Sequence, residues 1–321
     1  MNKRPFIIDC DTGTDDAIMI VAALGCEEIE IVGITSVNGN VAEKFTSQNN
    51  LDMMDYFAYD TPVCHGAFLP LLANRAVSAG DNVHGKRGLG DIVLPRANRE
   101  FDPRIASEFI YEEAKKRNGE MELLVTGPMT NIAIAILEHP DLKDYVKRIY
   151  FMGGATIGGN VSPTAEYNIW ADPESCHTVL VSGIPTIMVG LNVSNYALMS
   201  EEDEKKLREY NSKETVLVAD ILDYQINKRS LGIRGARMHD PLTLAAALYP
   251  ECLKFEMCHV DTELRGEFTR GHTAADLQDR LQKEKNVSVA VEIDNDKFVQ
   301  WLTEKIRIAG VEGEERRGKS A

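Results

Sequence analysis

Short β-branched apolar segments alternate with longer segments of helical period along almost the whole chain, and few folds accept that rhythm. Strands are expected at residues 6–8, 30–37, 123–126, 148–152, 186–191 and 287–293. Helices are expected at 16–24, 42–56, 105–117, 130–138, 173–182, 200–210, 214–228, 241–249 and 296–308. Strands separated by helices are the signature of βαβ units and of a mostly parallel sheet with helices on its faces. The expected fold class is therefore α/β, a single Rossmann-like domain with a mostly parallel central sheet. No internal repeat and no Pro/Gly/Ser-rich linker divides the 321 residues, so one catalytic domain is expected over residues 1–309. A polar C-terminal tail, frayed at its end, is expected over 310–321. The irregular stretches 73–99 and 231–238 read as loops, and long loops on an α/β scaffold are commonly site lids.

Charge and cysteine content exclude several classes of function. Lys and Arg number 35 against 50 Asp and Glu, a formal charge of −15. Such an excess opposes binding to nucleic acid, where phosphate contacts need clustered cations. The longest apolar run, residues 17–24, is far short of the roughly 20 residues of a membrane helix, and the N-terminal segment has too short an apolar run for a secretory signal. The six cysteines form no CxxC pair and suggest neither a zinc site nor a secreted disulfide framework. A cytoplasmic protein with no membrane or nucleic-acid partner is expected.

The segment IIDCDTGTDDA, residues 7–17, carries the chemistry. Asp9, Asp11, Asp15 and Asp16 fall within eight residues at the carboxyl end of the first expected strand, where open parallel sheets bind ligands. So much like charge in one place calls for a cation or for substrate hydroxyls, and all-oxygen donors favour a hard ion such as Ca²⁺ or Mg²⁺. A helix N-terminus accounts for Asp15 and Asp16, but not for Asp9 and Asp11. An EF-hand fails, because Gly13 stands where a third ligand belongs and Ile20 where the bidentate Glu belongs. A P-loop fails for want of its Lys. A phosphatase of the haloacid dehalogenase type, with Asp9 as nucleophile and Asp11 as acid/base, is an alternative, although Gly13 departs from its pattern.

With three further segments in the same order, the chain resembles the nucleoside hydrolase family, the calcium-dependent N-ribohydrolases. They are LLVTGPMTNIAIAI (123–136), MGGATIGGNVSPTAEYNIWADP (152–173) and HDPLTLA (239–245). The resemblance implies the nucleoside hydrolase fold, a ribonucleoside substrate, hydrolysis to ribose and free base, and a homo-oligomer, dimer or tetramer. It implies Ca²⁺ held by Asp11, Asp16, the Thr126 carbonyl and Asp240. Asp11 would be the base that activates water, and His239 the acid toward the leaving base. It assigns substrate binding to Asp15, Asn40, His84, Met152, Asn160, Glu166, Tyr167 and Asn168. The residues tolerate plainer readings. Asp240 before Pro241 suits a helix N-cap, Asn38-Gly39 is a common turn dipeptide, and Trp170 reads as core. Thr12 departs from the family's usual Pro at that position, with no change in Asp spacing. The region 223–238, with Tyr224, Arg229, Arg234 and Arg237, is where base-reading residues would come from. The absence of a paired-Trp arrangement leans toward an inosine–uridine or pyrimidine type. A non-catalytic nucleoside- or sugar-binding protein on the same scaffold is the other alternative, opposed by Asp11, a base that a binder does not need.

Overall fold

The computed structural model describes residues 3–72, 81–228 and 235–319. Eleven strands occur among them: β1 (Arg4–Cys10), β2 (Ile29–Ser36), β3 (Val63–Cys64), β4 (Met121–Val125), β5 (Val146–Met152), β6 (Thr186–Val189), β7 (Leu198–Met199), β8 (Ala236–Arg237), β9 (Leu253–Thr262), β10 (Thr273–Asp276) and β11 (Val287–Ile293). Nine of them form one sheet in the order β10-β9-β11-β6-β5-β4-β1-β2-β3, and β7 pairs with β8 in a small separate ribbon. From β3 across to β11 neighbouring strands run parallel, while β9 runs antiparallel to both β11 and β10. The mostly parallel α/β fold expected from the alternation is the fold observed.

β1 and β4 lie side by side, yet the chain runs outward from β1 through β2 to β3 and outward from β4 through β5 to β6 in the other direction. The connections on either side of that pair therefore diverge, which opens a crevice above the carboxyl ends of the strands. Asp9 and Cys10 end β1, and Val125 ends β4. β4 is buried throughout, as expected for a sheet covered on both faces.

The helix Thr14–Leu24 is buried along its whole length, so it is a core helix without a solvent face. It packs against the helix His239–Leu248, which is also apolar over most of its surface. Each of these helices carries its carboxylates, Asp15 and Asp16 or Asp240, in its first turn. The second helix begins at His239 with Met238 as its N-cap, so Asp240 lies inside the first turn and is not the N-cap.

The structure differs from expectation at the C-terminus. The last helix runs Asn295–Lys319, through most of the segment read as a frayed tail. Gly310 and Gly313 allow it to lie directly on Ser212 and Glu214, where a Cβ would collide with both side chains. Arg317 then reaches the fully buried Glu214 at 2.6 Å, and Arg316 stacks on the Tyr59 ring at 3.5 Å. Charged residues that suggest a solvated end instead close a buried pair. β9 and β10 also escaped the pattern. β9 alternates in burial only over its second half and β10 is mostly partly exposed, as at an antiparallel sheet end with one wet face, a weaker signal than the apolar runs of the central strands.

Candidate active site

The carboxylates converge above the β1/β4 crevice. One carboxylate oxygen from each of Asp15, Asp16 and Asp240 lies within 4.8 Å of the other two. Asp16 is the hub: its Oδ2 accepts from the Gly13 amide at 2.8 Å and from Asn40 Nδ2 at 3.1 Å, and its Oδ1 accepts from the Thr126 hydroxyl at 2.7 Å. Asp11, fully buried, takes the Asn40 amide at 2.6 Å on Oδ2 and Asn40 Nδ2 at 3.2 Å on Oδ1. One Asn40 side chain thus spans Asp11 and Asp16. The backbone reaches Asp11 because residue 39 is glycine; a Cβ there would collide with the Asp11 carboxylate. The Asn38-Gly39-Asn40 turn is part of the site.

The electrostatics are those of a site that wants positive charge. Burial and then the Asp16 carboxylate hold the Asp11 pKa well above the usual range. Burial, followed by Asp15, Asp16 and Asp11, does the same for Asp240. Burial also raises Asp16, against the opposing donors Gly13 and Thr126. No Lys or Arg ion pair reaches Asp11, Asp16 or Asp240 among the described residues, and the charges that raise Asp11 and Asp240 are those of neighbouring aspartates, Asp15 included. Buried oxygen donors of uncompensated charge fit a hard metal ion. Asp15, placed by the resemblance among the sugar contacts, stands with Asp16 and Asp240 in the carboxylate trio.

A second group of polar residues follows β5. Glu166, at the N-cap of the helix Tyr167–Ala171, accepts from the amides of Asn168 at 3.0 Å, Ile169 at 3.3 Å and Gly154 at 2.9 Å. Burial still pushes its pKa up to about 7. Asn168 Nδ2 donates to the Thr126 carbonyl at 2.8 Å and to the Met152 carbonyl at 3.2 Å, joining the ends of β4 and β5. Asn160 Oδ1 accepts from the Tyr167 amide at 2.9 Å, and the Tyr167 hydroxyl donates to the Gly39 carbonyl at 2.7 Å. Tyr167 therefore clamps the Asn40 turn to this segment. A cavity of about 460 Å³ runs past Asp15, Asn40, Thr126, Met152, Asn160, Glu166, Tyr167, Asn168 and Asp240.

His84 and His239 also line that cavity. His239 Nδ1 is 2.8 Å from the Ser194 hydroxyl, and His84 Nδ1 is 3.0 Å from that of Thr14. Trp170, read from sequence as core, is instead a partly exposed part of the cavity wall. Gln225 and Arg237 stand on the wall as well. Gln225 lies in a short π-helical segment, Tyr224–Lys228, a feature frequent at functional sites. Arg229 and Arg234 lie outside the described residues. Ser194, Thr14 and Gln225 were missed because a lone hydroxyl or amide far along the chain has no pattern of its own. Only the unusual composition of 223–238 pointed toward Gln225 and Arg237.

Asp9 does not line the cavity. Its Oδ1 accepts from Thr35 at 2.5 Å and from Asn131 at 2.7 Å, and its Oδ2 is buried with no hydrogen-bond partner. Asp9, the nucleophile of the phosphatase reading, is thus engaged by Thr35 and Asn131 outside the cavity, and nothing in the site supports that reading. Thr12, where the family's Pro is absent, turns its hydroxyl to Asn50 beneath the site. Burial raises the Asp9 pKa to about 6 from an ordinary value of 3.8. The folded state therefore favours the protonated form: the penalty is absent below pH 4 and complete above pH 6. In metal-free protein Asp9→Asn should gain stability relative to the parent as pH rises from 4 to 7, by about 3 kcal/mol at most. Chemical denaturation at both pH values measures it. A constant difference would show that Asp9 is not a buried ionising group.

The sequence model of the family described as inosine-uridine preferring nucleoside hydrolase matches residues 6–300. Among curated proteins, the chain is 36% identical over 309 residues to the pyrimidine-specific ribonucleoside hydrolase RihA of Escherichia coli O1:K1 / APEC, covering 94% of this chain and 98% of the relative. Among solved structures, it superposes on the purine-preferring ribonucleoside hydrolase from Gardnerella vaginalis with a TM-score of 0.90 at 32% identity, covering 96% of this chain and 99% of the other. A plant nucleoside hydrolase, PpNRh1, gives a TM-score of 0.88 at 27% identity, covering 95% and 99%.

Proposed function

The chain belongs to the inosine-uridine preferring nucleoside hydrolase family, and we propose that its cavity works on ribonucleosides through Asp11 as base, His239 as acid and a Ca²⁺ ion held among the aspartates. The activity is hydrolysis of the N-glycosidic bond to ribose and free base. Asp11, Asp16, Asp240 and the Thr126 carbonyl would hold the ion, with Asp15 beside them. When bound, a hard divalent ion would supply Lewis acidity that eases the ionisation of a water.

The observation that carries the reading is Asp11 itself. It is fully buried beside Asp16, the hub of the aspartate cluster, and Asn40 fixes both of its oxygens. A positioned base of that kind takes a proton from water as the nucleophile forms. Bond cleavage proceeds with oxocarbenium character, and the flattened sugar is reached more readily when its hydroxyls are clamped. Asn160, Glu166 and Asn168 offer donors and acceptors for that purpose, with Asp15, Asn40 and Met152 on the same cavity wall.

His239 lies on the cavity wall with its ring oriented by Ser194, which suits it to protonate the departing base. His239→Ala should lower kcat on natural nucleosides by about 10²-fold or more and leave p-nitrophenyl riboside nearly untouched, since p-nitrophenolate leaves without a proton. Equal losses on the two substrates would remove the acid role.

A reducing-sugar assay over a nucleoside panel, with and without chelator, tests the whole reading. Release of ribose that stops on chelation and returns with Ca²⁺ is expected. Binding without turnover would restore the non-catalytic alternative. The likeness to RihA and the absence of a Trp pair at the cavity support uridine and cytidine as better substrates than inosine. The panel reads that order directly. No helix among the described residues is long and apolar enough to cross a membrane. A cytoplasmic homo-oligomer is proposed, with light scattering to report the subunit number.

A further inference from the structure

His84 touches the helix Thr14–Leu24 at its first turn. The backbone amide of Thr14 points at His84 Nδ1 from 3.2 Å, and the Thr14 hydroxyl lies 3.0 Å from the same nitrogen. A backbone N–H can only donate, so that nitrogen accepts and carries no proton. The hydroxyl agrees. Gln225 Nε2 donates to Thr14 Oγ1 at 2.8 Å, and the hydroxyl keeps its own proton to turn toward the imidazole. Asp15 Oδ1 is 3.9 Å from Nδ1 and would favour a proton there. It lies beyond hydrogen-bond distance, whereas the Thr14 amide, which can only donate, lies within it.

We infer that Thr14, held by Gln225, fixes His84 as the neutral Nε2–H tautomer, so that His84 offers the bound nucleoside a hydrogen-bond donor and is not its proton donor. The inference rests on the hydrolase reading above. A neutral imidazole that gave up its Nε2 proton would become an imidazolate, whereas one that keeps it stabilises charge growing on the departing base. Thr14 and Gln225 are then positioning residues. Thr14 is fully buried and does not line the cavity, so an effect of its hydroxyl on turnover passes through another group. Gly90, at φ +64°, lies so close to Tyr224 that a Cβ would stand 2.7 Å from its ring. The His84 segment and the Gln225 segment are thus in direct contact, and the relay from Gln225 through Thr14 has fixed ends.

Long-range ¹H–¹⁵N correlation on histidine-labelled protein at pH 7.5, with His84 assigned through His84→Phe, reads the tautomer without substrate. A non-protonated Nδ1 and protonated Nε2 are expected. A protonated Nδ1, alone or in an imidazolium, would overturn the inference. Kinetics supply the second readout. Thr14→Val should lower kcat on uridine about three- to tenfold with KM little changed, the size of one lost hydrogen bond. Thr14→Ser should restore it, and Thr14→Val should have no effect in the His84→Phe background. Additive losses in the double variant would place Thr14 outside the His84 relay. Thermal unfolding checks that the Val variant folds. Expected nitrogen shifts without ribose release in the parent would count against the hydrolase reading alone, and turnover with a protonated Nδ1 would count against this inference alone.

Discussion

Asp11→Asn is expected to lower kcat on a ribonucleoside by about 10³-fold or more, with the fold intact. General-base catalysis by a placed side chain contributes about 10²- to 10⁴-fold, and the same carboxylate is proposed to hold the ion. The exchange keeps the shape of the side chain and removes only charge and basicity. It has a local cost: both Asp11 oxygens accept from Asn40, so the new amide group must face a donor, a mismatch of about 1–3 kcal/mol. Against that, the metal-free protein loses a buried charge disfavoured by burial and by Asp16. Unfolding in chelator should therefore show a small stability change beside a large kinetic one. Turnover within tenfold of the parent would remove Asp11 from the chemistry.

The second large effect belongs to Asp240. In the parent, Ca²⁺ should raise the melting temperature in proportion to its affinity, since an ion that binds only the folded state stabilises it by about 2.7 kcal/mol at a hundredfold excess over Kd. Asp240→Ala should abolish that rise and ribose release together. In chelator the order should invert. Burial and the charges of Asp15, Asp16 and Asp11 all disfavour the ionised Asp240 carboxylate, so removing it relieves repulsion in the metal-free protein. A variant less stable than the parent in chelator but still stabilised by Ca²⁺ would mean that Asp240 has a packing role and that the ion sits elsewhere. Calorimetry with Ca²⁺ alone measures both arms without any nucleoside.

Much of the fold was legible because its signals are local. The helix Thr130–Glu138 and the strand Val287–Ile293 were bounded to the residue, since apolar periodicity and β-branched runs report the element that contains them. The Asp cluster was legible for a related reason: four carboxylates in eight residues carry a repulsion that needs a purpose wherever the chain goes. The C-terminal helix shows the limit. Its glycines and charges read as a solvated end until Ser212 and Glu214 are placed beneath them.

Composition and order alone established a parallel α/β domain with an acidic strand end poised over a ligand crevice. Whether that end could hold an ion was decided in three dimensions. Asp240 lies more than two hundred residues from Asp16 in the chain, and only the packing of two buried helices brings their first turns together. The positions of Asp15 beside that pair, of Asp9 outside the cavity and of Thr14 against His84 depend on the tertiary structure in the same way. Each depends on which partner sits across a gap, and hydrogen bonds and Coulomb forces act over ångströms of space, whatever the separation along the chain.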